Sequence, residues 1–405
     1  MSKILHLGQI ASIKTGPFGS QLHQEDYVEI GMPIVTVEHL GQKNFGKNNL
    51  PKVSEADYDR LAHYRLATGD VVFSRVGSVD RCSYVSEKEA GWLFSGRCLR
   101  IRPNTHVVIP EYLYYYLTTQ KSQKFIRSIA VGATMPSINT QIMAEVPILL
   151  PDNKTQSAIA KVLGSLDDKI AVNNKMIRII LELQKSIWIQ NNVKNLSQIH
   201  LINIAEPILG GTPKRSDNSL WNGDILWASV ADMTSVSNSH LLTTAEQITE
   251  KAAETKRFAP LPAGSVLLSA RGTVGHVISL AKPAAFNQSA YGFIAPKGYE
   301  TALRLAIEDT VEELKSKSYG SVFSTITKQQ INECLIPDVF NESFAELREK
   351  LNSLETRIVI AEQENQTLAR TRDELLPLLM SGKITVQDAE EASAEVGVDK
   401  HEVEE

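Results

Sequence analysis

The chain has 405 residues and carries 42 Lys and Arg against 47 Asp and Glu, a formal net charge of −5. Hydrophobic residues make up 42% of it and charged residues 22%, which is an ordinary globular composition and excludes a wholly disordered chain. No apolar run approaches the ~18–20 residues of a membrane helix, the first residues lack the apolar core of a signal peptide, and the three cysteines are too few for a disulfide framework. We therefore expect two or three domains in a reduced, cytoplasmic compartment.

The first 151 residues alternate short β-rich runs with Gly, Pro and Asn, which is typical of strands joined by turns. The predicted strands are 32–37, 70–74 and 98–102, and a helix is predicted over 110–128. Arg75 flanks a Gly-Ser turn, and one earlier loop is rich in basic and amide side chains. Because Lys and Arg can neutralise phosphates and Asn can pair with adenine, these are candidate DNA-binding residues. The candidates in the loop are Lys43, Asn44, Lys47, Asn48 and Asn49.

Residues 41–48, GQKNFGKN, nearly fit the phosphate-binding pattern G-x-x-x-x-G-K-[ST]. Asn48 replaces the hydroxyl that would hold Mg²⁺, and no clear strand leads directly into Gly41. A basic, Asn-rich surface loop is therefore the better interpretation.

Apolar residues then recur at 4-3-4-3 spacing from Ile159 to Ile187, and a second such series runs from Leu347 to Leu379. A seam sustained over four or more heptads predicts a coiled coil rather than two separate amphipathic surface helices. At ~1.5 Å per residue, each segment of ~40 residues is ~60 Å long. The principal seam residues are Leu163, Leu166, Ile170, Asn173, Ile177, Ile180, Leu351, Leu354, Ile358, Asn365, Leu368 and Leu375.

Each seam contains one asparagine, and a buried Asn pair fixes the register of a coiled coil at some cost in stability. We therefore take antiparallel pairing of the two helices, with these asparagines opposed, as a hypothesis. With Asn173 facing Asn365, the other opposed pairs are Leu163 and Leu375, Ile180 and Ile358, and Ile187 and Leu351.

Residues 196–337 resemble residues 1–151 in alternating short β-rich runs with Gly, Pro and Asn. The predicted strands are 225–229, 265–269 and 291–295, and a helix is predicted over 301–317. Basic and amide residues again cluster after a Gly-Gly pair, and an arginine again flanks a Gly-Thr turn. The candidate DNA-binding residues here are Lys214, Arg215, Asn218 and Arg271.

These similarities form an internal repeat with a period of about half the chain. GDVVFS at 69–74 reappears as GSVLLS at 264–269, and Gly16 reappears as Gly210. The shared order and nearly constant spacing indicate duplication. We predict an α+β fold in which two mixed α/β domains with twisted sheets are separated by two long antiparallel coiled-coil helices, with an internal pseudo-two-fold repeat. The predicted segments are 1–151, 152–195, 196–337, 338–385 and a tail, 386–405.

The last twenty residues hold eight acids and one lysine, which predicts a solvated, disordered extension. Without that tail the chain carries about +2. The overall charge therefore neither supports nor excludes a nucleic-acid partner.

Two alternatives to a DNA-binding role stay open. Asp152, Asp167 and Lys169 mimic a nuclease carboxylate pattern that would hold Mg²⁺, although Asp167 and Lys169 fall on the non-seam face of the predicted helix, which favours a solvated surface. The second alternative is a structural coiled-coil adaptor. Because no H-E-x-x-H, C-x-x-C, G-x-S-x-G, G-x-G-x-x-G or Asn/Asp-Pro-Pro-aromatic motif occurs, we predict no catalytic, cofactor or metal site on this chain.

Several motifs resemble the specificity subunit of type I restriction–modification systems. They are GGTP at 210–213, WNGDILW at 221–227 followed by Asp232-Met233, SARGTVG at 269–275, FNQS at 286–289 and LARTRDELLPLLMSG at 368–382. GPFG at 16–19, SRVG at 74–77 and QSAIA at 156–160 look like a divergent first copy. The resemblance covers residues 1–385.

The resemblance implies a non-catalytic subunit in which each β-rich domain reads one half of a bipartite double-stranded DNA site. The paired helices would set the gap between the half-sites. Methylation subunits would bring S-adenosylmethionine and methylate adenine, and a restriction subunit would use ATP and Mg²⁺ for translocation and cleavage. A specificity subunit of a related type II restriction enzyme is an alternative. The resemblance does not identify the base-contacting side chains.

Overall fold

A computed structural model describes residues 3–191, 193, 196–236, 238–317 and 325–398. Contacts divide the chain into two units, and each is described separately. Unit 1 comprises residues 1–170 and 367–405, and unit 2 comprises residues 171–366. Both units contain helices and sheets, and the repeat gives them similar sheets, so the predicted α+β class is confirmed.

Unit 1 contains two four-stranded sheets, ordered β2-β9-β6-β7 and β3-β5-β4-β8, and a two-stranded antiparallel sheet of β1 and β10. The first sheet is antiparallel throughout. The strands are β1 (Lys3–His6), β2 (Ala11–Thr15), β3 (Tyr27–Val28), β4 (Met32–Val35), β5 (Lys52–Val53), β6 (Val71–Ser74), β7 (Cys82–Tyr84), β8 (Leu93–Phe94), β9 (Cys98–Pro103) and β10 (Pro147–Leu150).

The central strand β6 is apolar on both faces because both faces are covered. Val71 and Phe73 join the main core of unit 1, whereas Val72 joins a separate core beneath the second sheet. Alternate side chains of a strand point to opposite faces, so this continuous apolar run lies between two hydrophobic layers.

Among the residues that the structure describes, unit 1 has five helices before the first long helix, α6. Thr119 divides the single helix predicted over 110–128, because its hydroxyl oxygen accepts a hydrogen bond from the Ser122 amide at 3.2 Å and so caps a new helix. The prediction of one continuous helix is therefore wrong. The helices are α1 (Leu7–Ile10), α2 (Glu55–Arg60), α3 (Pro110–Thr118), α4 (Gln120–Ile129), α5 (Thr140–Ala144) and α6 (Asn153–Gln190).

Unit 2 repeats the layered arrangement. Its sheets are ordered β12-β19-β16-β17-β14 and β15-β13-β18, with a two-stranded antiparallel sheet of β11 and β20. The strands are β11 (Gln198–His200), β12 (Ile208–Leu209), β13 (Trp221–Ala228), β14 (His240–Leu241), β15 (Glu246–Ile248), β16 (Val266–Ser269), β17 (Val277–Leu280), β18 (Ala284–Phe286), β19 (Ala290–Phe293) and β20 (Leu335–Pro337). The helices are α7 (Val230–Ser235), α8 (Glu250–Ala253), α9 (Glu300–Lys317), α10 (Lys328–Glu333) and the second long helix, α11 (Ala345–Ser381).

Strand β16 of unit 2 has the same surroundings as β6 of unit 1. Val266 and Leu268 join one core, and Leu267 joins another. Short 3₁₀ helices connect the elements of both units: Gly19–Gln21, Gln24–Asp26, Val37–His39, Ala62–Tyr64, Glu87–Glu89, Leu201–Asn203, Asn218–Leu220, Lys256–Phe258 and Glu342–Phe344.

The helices α6 and α11 each contribute residues to both units and pair antiparallel within each. In unit 2, Asn173 Nδ2 donates to Asn365 Oδ1 at 3.0 Å, so the two asparagines lie opposite each other as the sequence register predicts. The same Nδ2 atom donates to Glu364 Oε2 at 2.8 Å. Ile180 packs with Ile358 in one small core. The predicted seam residues are buried or partly buried: Leu163, Leu166, Ile170, Leu368 and Leu375 in unit 1, and Asn173, Ile177, Ile180, Leu351, Leu354, Ile358 and Asn365 in unit 2.

The acidic tail differs from its prediction. Residues Val386–Glu395 form a helix, α12, whose first turn is closed by a reciprocal capping box between Thr385 and Asp388. Ala389 and Val398 are buried in the core of unit 1. The prediction of disorder is therefore wrong for residues 386–398, because apolar residues on one face of α12 pack into that core. Residues 399–405 lie outside the described part of the chain. Among the described helices, none is long and apolar enough to cross a membrane.

Candidate nucleic-acid interface

Four segments of unit 1 meet at one end of the sheet that contains β6. They are the loop 16–19, the turn 75–78 after β6, the turn 95–97 before β9, and residues 131–137; we call them loop cluster 1. Backbone hydrogen bonds hold them together: the Arg75 amide donates to the Arg97 carbonyl at 2.8 Å, and the Gly77 amide donates to the Pro136 carbonyl at 2.8 Å.

Glycine is required at position 16, where the loop 16–19 passes the turn 95–97. A Cβ atom at this position would lie 2.2 Å from the Ser95 carbonyl oxygen, which no side chain tolerates. The Gly16 amide donates to the Cys98 carbonyl at 3.2 Å. The loop therefore lies directly on the turn that leads into β9.

Unit 2 builds the equivalent arrangement, loop cluster 2, from residues 210–213, 271–273, 287–289 and Thr325. The Arg271 amide donates to the Ser289 carbonyl at 3.2 Å, as Arg75 does to Arg97, and Arg271 forms an isolated β-bridge with Thr325. A Cβ atom on Gly210 would lie 2.3 Å from the Asn287 carbonyl oxygen. The glycine and arginine positions matched by the sequence repeat therefore occupy equivalent places in the two units.

The side chains on these two similar frames differ in chemistry. Loop cluster 1 exposes apolar groups, with Phe18 63% and Met135 64% accessible, together with Val131. The Arg75 guanidinium lies 5.9 Å from the Phe18 ring centroid and donates to the Gly96 carbonyl at 3.3 Å. In loop cluster 2, Thr212 takes the place that Phe18 has in the sequence repeat, and its hydroxyl donates to Gln288 Oε1.

This chemistry suits base recognition. An arginine fork can pair with guanine, an amide can pair with adenine, and apolar groups can contact the thymine methyl. Sequence reasoning found Arg75 and Arg271 but missed Phe18, Val131 and Met135. The available signal was apolar residues next to a glycine or proline in stretches without strand or helix periodicity.

Lys43 does not belong to an exposed basic loop. Its side chain is only 11% accessible, and Nζ lies 2.5 Å from Glu111 Oε1 and 3.5 Å from Asp168 Oδ1. Burial disfavours the ammonium ion, but Glu111 and Asp168 outweigh it and raise the pKa of Lys43. The structure therefore gives Lys43 an internal ion pair between its loop and helices α3 and α6, which corrects the predicted exposed position.

The rest of this loop is exposed around a buried anchor. Phe45 lies in the core beneath the second sheet of unit 1, while Asn44, Lys47 and Asn48 are exposed. Lys47 Nζ lies 3.8 Å from Glu89 Oε1. The contacts described for this loop do not include loop cluster 1, so Asn44, Lys47 and Asn48 stay predictions.

The basic residues after the Gly-Gly pair of unit 2 divide into two groups. Arg215 forms a bidentate ion pair with Glu246, and its guanidinium lies 4.0 Å from the Trp221 ring centroid. Arg215 is therefore already paired within the unit, which its prediction as a free DNA contact did not anticipate. Lys214 and Asn218 are exposed and lie close in sequence to loop cluster 2.

The carboxylates of the nuclease alternative have separate structural roles. Asp152 accepts a hydrogen bond from the Thr155 amide at 2.9 Å and caps the start of α6. Asp167 is buried, accepts a hydrogen bond from the Tyr115 hydroxyl at 2.6 Å, and forms an ion pair with Arg372 of α11. The expectation that Asp167 lies on a solvated face is therefore wrong. Within the described residues, no group of three or more His, Cys, Asp or Glu side chains is placed to hold a metal ion.

Comparison with known proteins identifies the family to which both copies of the repeat belong. The family model of the type I restriction modification DNA specificity domain matches residues 2–182 and again residues 193–367. A specificity subunit assigned to the type I restriction enzyme MjaX of Methanocaldococcus jannaschii is 24% identical over 388 residues, which cover 89% of this chain and 88% of that protein. The type I restriction enzyme HindI specificity subunit of Haemophilus influenzae is 21% identical over 416 residues, covering 81% of this chain and 89% of that protein.

The fold is also shared with a solved structure. The crystal structure of a type I restriction–modification system S subunit from M. genitalium superposes with a TM-score of 0.59 at 14% identity, covering 94% of this chain and 96% of that one. Because the family model matches most of the sequence in two successive copies, this chain belongs to the family of the type I restriction modification DNA specificity domain.

Proposed function

We propose that this chain is the DNA-recognition subunit of a type I restriction–modification complex. Loop cluster 1 reads one half of a bipartite site, loop cluster 2 reads the other half, and α6 and α11 set the unread gap. The observation that carries the proposal is the duplication: the DNA specificity domain occurs twice, and each copy builds its own loop cluster from equivalent backbone contacts.

The two half-sites should differ in sequence because the two loop clusters present different side chains. Arg75, Phe18 and Met135 combine a cation with apolar surface, which suits guanine and thymine edges. In loop cluster 2, exposed Arg271 and Gln288 offer hydrogen bonds, and Thr212 stands where the first repeat has Phe18. Equivalent frames with different side chains support a split, asymmetric target.

We assign methylation and cleavage to partner subunits, which bring S-adenosylmethionine, ATP and Mg²⁺. An exposed apolar stripe on α6 supports docking of a helix from a methylation subunit. Val172, Met176, Ile179 and Leu183 recur at helical spacing on a face away from the seam, and all four are exposed. An amphipathic partner helix would cover these side chains.

The test is base-modification mapping of genomic DNA from cells that express this chain with its methylation subunit. The matched control culture lacks only this chain. We expect methyladenine within a two-part motif of fixed gap, present only when the chain is expressed. Equal methylation in both cultures would contradict the proposal.

A domain exchange tests the division of labour between the repeats. Replacing residues 1–151 with the same region of a relative should change one half of the methylated motif and leave the other half and the gap unchanged. The reciprocal exchange of residues 196–337 should change the other half alone. A change in both halves after either exchange would show that the repeats do not read separately.

A further inference from the structure

Unit 1 carries a like-charged pair on the two strands that adjoin loop cluster 1. Lys14 of β2 lies directly opposite Arg100 of β9 in the antiparallel register, and β2 ends at the residue before Gly16. Opposed residues project from the same face of a sheet, where two like charges destabilise the strand pair. The protein therefore tolerates an unfavourable placement beside the surface that we assign to DNA.

The neighbouring carboxylate, Asp70, forms its ion pair with Arg102 rather than with Lys14 or Arg100. Arg102, two residues further along β9, is held by Asp70, with Nε 2.8 Å from Oδ1 and Nη2 2.7 Å from Oδ2. Within the described part of the chain, neither Lys14 nor Arg100 lies within ion-pair distance of a carboxylate. Lys14 Nζ donates to the His63 carbonyl at 3.3 Å, and Arg100 Nη1 donates to the Arg65 carbonyl at 3.4 Å.

Burial increases the cost of this arrangement. Arg100 is 7% accessible, and its Nε atom is buried without a hydrogen-bond partner. Burial, together with the neighbouring guanidinium groups, lowers the pKa of Lys14. Burial and Arg102 also lower the pKa of Arg100, although Asp70 acts in the opposite direction. Lys14 is partly exposed whereas Arg100 is buried, so an anion from solvent could reach Lys14 beside a buried cation on the neighbouring strand.

The second repeat lacks this charge. Ile208 precedes Gly210 by two residues, as Lys14 precedes Gly16, and Ile208 lies opposite Gly292 of β19. The position that is doubly cationic in unit 1 is therefore apolar in unit 2. A purely structural requirement of the shared fold would be expected in both units.

We propose that Lys14, backed by the charge of Arg100, binds a phosphate group of the DNA backbone, and that the first repeat makes this contact without a counterpart at the equivalent place in the second. The inference rests on the proposed function and adds a phosphate contact to loop cluster 1. A phosphate suits the position because it brings a full negative charge and several acceptor oxygens, whereas base edges are neutral. The contact would therefore anchor one half of the complex without reading sequence.

The test uses the complex of the full chain with its methylation subunits and compares Lys14→Gln with Lys52→Gln. Lys52 is a matched control because it also lies on a strand of unit 1, is partly exposed, and donates to a backbone carbonyl, that of Glu29 at 3.0 Å. Affinity is measured between 50 and 200 mM salt on the methylated-motif duplex and on a duplex with one half-site changed.

For Lys14→Gln we expect the slope of log affinity against log salt to become shallower by about 0.9, because one phosphate contact releases about that many counterions. The deficit relative to the parent should then shrink about 3- to 4-fold between the two salt concentrations. Both duplexes should lose affinity by the same factor, since a phosphate contact carries no sequence information. Lys52→Gln should match the parent.

Thermal unfolding of the free chain separates this role from a structural one. Lys14→Gln removes a repulsion with Arg100 but also the hydrogen bond to the His63 carbonyl and the contact of Nζ with the Tyr64 ring, whose centroid lies 4.7 Å away. Its melting temperature should therefore match that of Lys52→Gln, which also loses a hydrogen bond to a backbone carbonyl. An unchanged salt slope, or a melting temperature that falls below that of Lys52→Gln together with the affinity, would overturn the proposal. Stabilisation of the parent but not of Lys14→Gln by inorganic phosphate, with an unchanged slope on DNA, would also overturn it and assign the site to a free anion. A parent complex that binds both duplexes equally would overturn the proposed function itself.

Discussion

Arg304 of α9 is a buried cation that joins three helices within unit 2. It is 2% accessible, and its Nη2 atom donates to Glu355 Oε2 at 2.9 Å and to Gln184 Oε1 at 3.0 Å. Its Nη1 atom donates to Glu308 Oε1 at 2.6 Å. Burial disfavours the guanidinium ion, but Glu355 and Glu308 raise the pKa of Arg304. The contacts attach the second recognition domain to α6 and α11 at a defined place.

Replacing this cation should destabilise the protein far more than replacing an exposed one. We expect Arg304→Met to lower the free energy of unfolding by about 3–5 kcal/mol, because Glu355 is left buried without its main partner. Arg357→Met changes an exposed arginine of α11 and should stay within about 0.5 kcal/mol of the parent. Urea unfolding of the three proteins measures both values. Equal effects of the two variants would show that the buried network contributes no more to the free energy of unfolding than an exposed arginine does.

His240 makes part of this network dependent on pH. Its Nε2 atom lies 3.2 Å from Glu355 Oε1, and its Nδ1 atom lies 2.9 Å from Glu362 Oε2 and 3.0 Å from the Ser239 hydroxyl. Burial disfavours the imidazolium ion, but the two carboxylates outweigh it and raise the pKa of His240. Burial also opposes ionisation of Glu355, yet Arg304 and His240 lower its pKa to about 2.

Because the pKa of His240 is higher in the folded protein than in the unfolded chain, its stabilisation is complete below about pH 6.5 and is lost as the pH rises through the folded pKa. We expect the unfolding free energy of the parent to fall as the pH rises from about 6.5 through the folded pKa of His240. His240→Gln should lose this part of the pH dependence, while His106→Gln, at an exposed position, should retain it. Unfolding curves between about pH 6 and pH 8.5 provide the measurement. Parallel curves for the parent and His240→Gln would contradict the assignment.

At the scale of elements, the asparagine pair of the long helices determines which residues face each other. Asn173 donates to Asn365 at 3.0 Å, and Asn365 Nδ2 donates to Asn174 Oδ1 at 3.0 Å. We expect Asn173→Leu alone to cost about 1–3 kcal/mol, because it removes the donor to a partly buried amide oxygen. Replacing both Asn173 and Asn365 with leucine should be neutral or stabilising.

A double-mutant cycle on thermal or urea unfolding measures the coupling between the two asparagines. Lys175→Leu, at an exposed position of α6, controls for the added leucine and should change stability by about 0.5 kcal/mol or less. Strictly additive effects of the two asparagine substitutions would show that this pair does not hold the helices together.

The long helices and the central strands could be predicted because their patterns are local. A heptad series places Ile180 and Ile358 on their seams whatever the rest of the chain does. A run such as Val71–Ser74 likewise predicts a strand buried on both faces. The helix α12 carried a readable signal as well: Thr385 and Asp388 have capping-box spacing, but the acidic composition of the tail outweighed it in the prediction.

The loop clusters could not be assembled from sequence because their segments meet only through tertiary structure. Arg75, Arg97 and Pro136 come from three separate parts of the chain, and backbone hydrogen bonds join them. The role of Lys43 depends in the same way on Glu111 and Asp168, which belong to distant helices. The sequence shows that Lys43 is basic, but only the structure shows that Glu111 and Asp168 pair with this charge.

For the whole molecule, the proposed ruler function predicts that helix length and target gap change together. Residues 174–180 of α6 face residues 358–364 of α11 in the register set by Asn173 and Asn365. Duplicating both heptads preserves the seam and adds about 10.5 Å of helix, since each residue rises ~1.5 Å. Because successive base pairs are about 3.4 Å apart, the gap between half-sites should lengthen by at most about three base pairs, with both half-site sequences unchanged.

Base-modification mapping of cells that express the lengthened chain with its methylation subunit gives the new gap directly. Duplicating the α6 heptad alone is the matched control, because the added turns then lack opposed residues in α11, and we expect unfolding or loss of methylation. The paired duplication keeps every seam contact, so only the separation of the half-sites should respond. If the paired variant methylates the original motif at the original gap, the long helices do not set the spacing, and the contacts between each recognition unit and the partner subunits must set it instead.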